Sequence, residues 1–106
     1  MELTGKCKEL FENWFEEKYD NNNTSKVIMI QSEFNIIPFE MKFGVYVDFF
    51  DYLQMQIYIK PTMSHQWSVY IDDFGHHILT DYLTAETLQK ARTEAIKKAN
   101  EIINKN

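Results

Sequence analysis

A chain of 106 residues with 44% hydrophobic and 15% aromatic content carries enough apolar material for one ordinary domain, residues 1–106, with no need of a disulfide or metal staple. The formal charge of -5 at pH 7, with ten lysines and one arginine as the basic set, argues against a protein that lives on nucleic acid or anionic lipid, since both demand basic surface. One cysteine, Cys7, cannot form an internal bridge, no apolar run approaches the roughly 20 residues that span a bilayer, and no signal-peptide succession opens the chain; a soluble cytoplasmic protein without cofactor, metal or membrane partner is the expectation.

The first element is read from "LTGKCKELFENWFEEKY", where Cys7, Leu10, Phe11, Trp14, Phe15 and Tyr19 recur at three- and four-residue steps against Lys8, Glu9, Glu12, Glu16 and Glu17. This is an amphipathic helix with Thr4 as its N-cap. Its aromatic stripe has the spacing of core packing against a sheet, and Cys7, on the same stripe, reads as a small buried hydrophobe. The polar "DNNNTS" from Asp20 to Ser25 is a loop, and "KVIMIQ" from Lys26 to Gln31 is a short extended segment.

"PFEMKFGVYVDFFDYL", Pro38 to Leu53, fits two patterns. As a strand it alternates Phe43, Val45, Val47 and Phe49 with Lys42, Gly44, Tyr46 and Asp48. As a helix it places Glu40, Gly44, Asp48 and Asp51 on a polar stripe and Phe39, Phe43, Val47 and Phe50 inward. Pro38 at the start, Glu40 in the first turn and a length well beyond the usual five or six residues of a strand favour the helix. Asp48 and Asp51, flanked by Phe49, Phe50 and Tyr52, have the look of carboxylates in an apolar setting, yet no base, metal ligand or oxyanion donor is placed with them, and a solvent edge is the better reading.

Two strands follow. "QMQIYIKP" sets Met55, Ile57 and Ile59 against Gln56, Tyr58 and Lys60, and "HQWSVYIDD" sets Trp67, Val69 and Ile71 against Gln66, Ser68, Tyr70 and Asp72. Both are half-buried antiparallel strands joined by "PTMS". In "YIDDFGHHILTD" the Asp73-Phe74-Gly75 run fits a three-residue hairpin loop, which leads into a third strand. Consecutive His76 and His77 then point to opposite faces, with His76 opposite Asp72, and His65 is the one further imidazole, too few convergent ligands for zinc. The last helix is expected over Ala85–Ile103. Thr84 would cap it, Leu88, Ala91, Ala95, Ala99 and Ile102 would form its buried stripe, and Glu86–Lys90 and Glu94–Lys98 would support it as four-residue pairs.

Assembled, the expectation is an α+β fold: helix, short extended segment, helix, three-stranded antiparallel meander and C-terminal helix, with the helices packed on one sheet face. The sequence offers no Gly-rich phosphate loop, no nucleophile elbow and no paired-cysteine motif, so a non-enzymatic module is expected. Aromatic residues in excess of one small core, with Tyr58 and Tyr70 on the solvent face and Tyr46, Tyr52 and Tyr82 as further candidates, point to a protein-interaction surface made of Tyr58, Tyr70, Lys60 and Gln66, for a protein partner or a second copy. The alternative is nucleic-acid binding through Lys90, Lys97 and Lys98 on the last helix: residues 90–106 hold five cations against Glu94 and Glu101, or +3, leaving -8 for residues 1–89.

The order helix, three strands, helix resembles the double-stranded-RNA-binding domain in topology, but that family has a basic cluster opening its last helix where this chain has Thr84, Ala85, Glu86 and Thr87. "PFEMKFGVYVDFFD" followed by a strand pair, and the closing "TAETLQKARTEAIKKANEIIN", resemble small uncharacterised proteins of bacterial phages and mobile elements over roughly residues 34–104. That resemblance implies an origin, which the abundance of Asn, Ile and Lys also suggests, and no activity.

Overall fold

The computed structural model describes residues 2–20, 31–73 and 83–105. Within them the chain runs through helix α1 (Gly5–Phe15), a π-helical turn (Glu16–Asp20), α2 (Gln31–Ile36), α3 (Phe39–Tyr52), strands β1 (Gln56–Pro61), β2 (Trp67–Asp72) and β3 (Leu83–Ala85), and α4 (Leu88–Lys105). The strands form one antiparallel sheet in the order β1-β2-β3. This is the α+β architecture expected, with α3 and α4 packed on the sheet. The extended segment expected at Lys26–Gln31 lies outside the described residues except for Gln31, which opens α2. The Asp73-Phe74-Gly75 loop beyond Asp73, together with His76 and His77, lies outside them as well.

The segment with two possible periods is a helix. Pro38 stands at the N-cap with φ -60 and ψ 149, and its carbonyl accepts from the Met41 and Lys42 amides at 3.0 and 3.2 Å. At the far end Gln54 adopts φ 64, the Met55 amide donates to Phe50 O at 2.8 Å and the Gln54 amide to Asp51 O at 2.9 Å. This is a Schellman termination with glutamine where glycine is commonest. It turns the chain so that Met55, 3% exposed, joins Phe50 in the core and β1 begins one residue later. Glu40, Gly44, Asp48 and Asp51 are all exposed, as the helical reading required.

The core has two parts. One is aromatic and lies mostly between helices: Phe11 of α1 sits 5.2–5.9 Å, centroid to centroid, from Trp14, Phe15, Phe34, Tyr46 and Phe49. The α1 stripe is therefore core, but its rings meet those of α2 and α3, where the sequence pattern had placed a sheet. Tyr46, a candidate for solvent, is 5% exposed for the same reason, because an α3 wrapped by other helices buries a wider arc than a helix lying on a sheet alone. The second part is where α4 meets the sheet, with Val69, Ala91 and Ala95 packed against Ile57, Ile59, Trp67, Leu83 and Ala85. The fully buried alanines let helix and sheet approach closely, as their spacing implied.

Three boundary details differ from expectation. Leu83–Ala85 pairs with Trp67–Val69 as β3, so Thr84 is a strand residue facing Ser68, and Thr87 caps α4 by accepting from the Lys90 amide at 3.1 Å. Thr4 occupies the N-cap of α1 without a side-chain cap bond of its own. Instead, α4 supplies the cap from across the core: the Cys7 amide donates to Asn104 Oδ1 at 2.9 Å, the Thr4 amide donates to Asn100 Oδ1 at 3.0 Å, and both asparagine amides return to Thr4, Asn100 to Oγ1 at 3.0 Å and Asn104 to the carbonyl at 2.9 Å. Gly5, with φ 58, admits this approach, since a Cβ there would lie 3.1 Å from Asn104 Oδ1. Among the described residues no helix is long and apolar enough to cross a membrane.

Candidate interaction surface

Alternation along β1 and β2 sends odd-numbered residues toward the helices and even-numbered ones away. Met55, Ile57, Val69 and Ile71 lie in or against the two core clusters, whereas Gln56, Tyr58, Lys60, Ser68 and Tyr70 belong to neither. In the register Gln56 faces Asp72, Tyr58 faces Tyr70 and Lys60 faces Ser68. The tyrosines are thus a direct cross-strand pair. Their rings stack with centroids 4.6 Å apart and planes inclined by 15°, and Lys60 Nζ lies 5.8 Å from both centroids. The Tyr58 hydroxyl donates to Gln56 Oε1 at 2.7 Å. Desolvation, and then the charge of Asp72 with its hydrogen bond to the phenol, push the Tyr58 hydroxyl above its ordinary value.

Of the predicted surface residues the structure brings Tyr58, Tyr70 and Lys60 together. Gln66 stands just outside the strand, where its carbonyl accepts from the Thr62 amide at 2.7 Å and its amide donates to Thr62 Oγ1 at 3.2 Å. It closes the β1–β2 hairpin, whose connection is completed by His65 at φ 61. Ser68 and Asp72 lie on the expected face but are only 7% and 8% exposed, contrary to their assignment to solvent. Both sit on the central strand, and Ser68 Oγ turns down to donate to Lys60 O at 3.3 Å. Gln56 and Asp72 were read onto this face from the alternation but not named among its interaction candidates; their direct pairing beside the tyrosines appears only with the register.

The alternative lysine face is largely neutralised by carboxylates close in sequence. Lys90 pairs with Glu86 at 3.6 Å, as expected, and Lys98 pairs with Glu101 at 3.4 Å, while Lys97 is exposed. The lone arginine is used inside the fold: Arg92 reaches Glu40 at 2.6 Å and lies 5.3 Å over the Phe43 ring, tying α4 to α3. Asp48 pairs with Lys18 at 3.9 Å on the exposed stripe of α3, and Asp51, pushed upward by desolvation and by Asp48, stands beside it. Among the described residues no group of three or more His, Cys, Asp or Glu is placed to hold a metal ion. A cleft of about 120 Å³ between α1 and α3, lined by Lys8, Phe11, Lys42 and Tyr46, falls below the roughly 300 Å³ of a typical ligand pocket, whereas an open groove of about 600 Å³ between β3 and the start of α4, lined by Leu83, Ala85, Gln89, Lys90 and Thr93, lies within the ligand-pocket range but gathers no cluster of catalytic groups. Tyr52 on α3 is 64% exposed and Tyr82 lies outside the described residues; among the described residues the Tyr58–Tyr70 pair is a stacked aromatic pair outside both core clusters. In comparison with known proteins, the chain matches no family model, no curated protein and no solved structure.

Proposed function

We propose that this protein is a non-enzymatic protein-interaction module whose docking surface is the face of the sheet turned away from α3 and α4, and that it serves as an accessory protein of a bacterial phage or mobile element. One observation carries the reading of the surface: a stacked pair of tyrosines, held by cross-strand pairing and by the Tyr58–Gln56 hydrogen bond, stands outside both core clusters with an ammonium group beside it. Rigid aromatic side chains lose little entropy on binding and are the usual anchors of interfaces, while a flanking lysine suits a polar rim. The residues of the alternative lysine face support nucleic-acid binding less, because two of the three are ion-paired with carboxylates close in sequence.

The test is affinity capture from a bacterial host lysate with the wild type and with Tyr58→Ser/Tyr70→Ser. The double variant should keep the wild-type circular dichroism spectrum and lose the captured protein. A partner retained equally by both proteins places binding elsewhere. An unfolded double variant means that the face is part of the core, and the reading fails.

A further inference from the structure

Tyr58 and Tyr70 stand directly opposite each other on antiparallel strands, stacked with ring centroids 4.6 Å apart and planes inclined by 15°, and both are partly exposed. The other tyrosines whose side chains are described have different surroundings. Tyr46 is buried against Phe11, Phe34 and Phe39, and Tyr52 is exposed on α3. The thiol of Cys7, at 0% exposure, is closed to an oxidant in solution. Two phenols in contact with each other are therefore held where such an oxidant reaches them.

A phenol gives up an electron readily when its proton leaves at the same time, because the radical cation is a strong acid. At Tyr58 the acceptors for that proton are already in place: the hydroxyl donates to Gln56 Oε1 at 2.7 Å, and it is hydrogen-bonded to the Asp72 carboxylate as well. The Lys60 ammonium, 5.8 Å from both ring centroids, opposes positive charge on either ring. Electron and proton are thus driven to leave together. What remains is a neutral radical whose spin lies on the oxygen and on the two Cε carbons beside it.

We infer that Tyr58 and Tyr70 form an oxidative modification site, at which a peroxidase with hydrogen peroxide couples the two rings through their Cε carbons into a dityrosine cross-link between β1 and β2. Each phenol loses one electron and its hydroxyl proton, and the two radicals form one Cε–Cε bond. The hydrogen on each bonded carbon then shifts to the oxygen as a proton and restores both phenols. Two electrons and two protons leave in all, and they reduce one hydrogen peroxide to two waters. To form the bond the rings swing from stacked to edge-to-edge, a rotamer motion that exposed side chains make within nanoseconds. Cross-strand pairing holds the second ring beside the first, so no encounter in solution is needed. The site stands on the geometry of the pair, whether or not the face docks a partner.

The experiment treats the full chain, at low micromolar concentration, with a haem peroxidase and hydrogen peroxide under conditions that couple free tyrosine completely. The expected product runs as a monomer on a denaturing gel, shows the blue fluorescence of dityrosine and is lighter by two hydrogen atoms. Cyanogen bromide cuts after Met55 and Met63 and so separates residues 56–63, which hold Tyr58, from residues 64–106, which hold Tyr70. In the product these two fragments should stay joined. Tyr58→Phe and Tyr70→Phe each keep a stacked ring and remove one phenol; with circular dichroism unchanged, both should lose the fluorescence and the joined fragments, while Tyr52→Phe keeps them. Wild-type fragments that separate, or cross-links found only between chains, overturn the inference. Fluorescence that survives Tyr58→Phe or Tyr70→Phe assigns the coupling to other tyrosines and overturns it equally.

Discussion

The α4-to-α1 asparagine clamp offers the most direct energetic test of the fold. Asn104→Ala deletes the acceptor of the Cys7 amide at 2.9 Å and the donor to the Thr4 carbonyl at 2.9 Å and hydroxyl at 3.2 Å. The first loss is that of an N-cap, worth ~1 kcal/mol within a range of 0.5–2. Each remaining hydrogen bond is worth ~0.5–1.5 kcal/mol, discounted because Asn104 itself is exposed and water can replace it. A cost of about 1.5–2.5 kcal/mol follows, or a fall in Tm of about 6–10 °C at ~4 °C per kcal/mol for a chain of this size. Asn100→Ala should cost about as much, since its side chain is only 7% exposed and serves Thr4 twice. Because both asparagines donate to Thr4 Oγ1, Asn100→Ala/Asn104→Ala should cost less than the two single changes together. Calorimetry or thermal circular dichroism reads these values, with Lys105→Ala as the control expected within ±0.5 kcal/mol. An Asn104→Ala cost below 0.5 kcal/mol would refute the clamp and leave α1 capped by solvent.

Three further outcomes are expected. Gly44 lies on the exposed stripe of α3, and a Cβ there would meet nothing within 4 Å; Gly44→Ala should therefore stabilise by about 0.5–1 kcal/mol in urea denaturation, through helix propensity alone. Gln54 holds φ 64 in the Schellman turn, where glycine avoids a strain of ~1–2 kcal/mol at an entropic cost of ~0.5–1, so Gln54→Gly should raise the urea midpoint modestly and a lowered midpoint would contradict the strain. Burial pushes the Cys7 thiol from 9.0 to about 12, and burial with nearby Glu2 pushes the Tyr46 phenol from 10.0 to about 12. Both folded values are raised, so the unfolded chain releases protons first as pH climbs. Stability should hold below pH 9, decline between pH 9 and pH 12 and fall more steeply above pH 10, by up to ~1.4 kcal/mol per pH unit for each group; Cys7→Ala should remove the portion between pH 9 and 10, and urea denaturation at successive pH values measures it.

What could be read along the chain was whatever depended on local period. The α3 helix was legible because Pro38, Glu40 and the polar positions 40, 44, 48 and 51 agree with one another, and the sheet faces because Ile57, Ile59, Val69 and Ile71 alternate cleanly. What failed depended on partners distant in sequence. Thr84 and Thr87 are equally good caps by residue type, and only the pairing of Leu83–Ala85 with Trp67–Val69 decides between them. Asn100 and Asn104 look like surface residues until Thr4, 96 residues before the first of them, is brought beside them. Ser68 and Asp72 obey the alternation, yet they are only 7% and 8% exposed, so facing away from the core does not mean facing water. The Tyr58–Tyr70 surface was legible as two tyrosines on one face; their direct stacking, and the Gln56–Asp72 and Lys60–Ser68 pairs that flank them, required the register.

The claim that the Tyr58–Tyr70 face is where this protein docks is tested most directly by NMR of the tyrosine rings, labelled with carbon-13, as protein concentration is raised to 1 mM and then as any captured partner is added. Exposed Tyr52 on α3 and buried Tyr46 serve as internal controls. The account predicts shift changes at Tyr58 and Tyr70 that saturate with the association isotherm while Tyr46 and Tyr52 stay still. Association accompanied by movement at Tyr52 alone, with Tyr58 and Tyr70 unmoved, would contradict it.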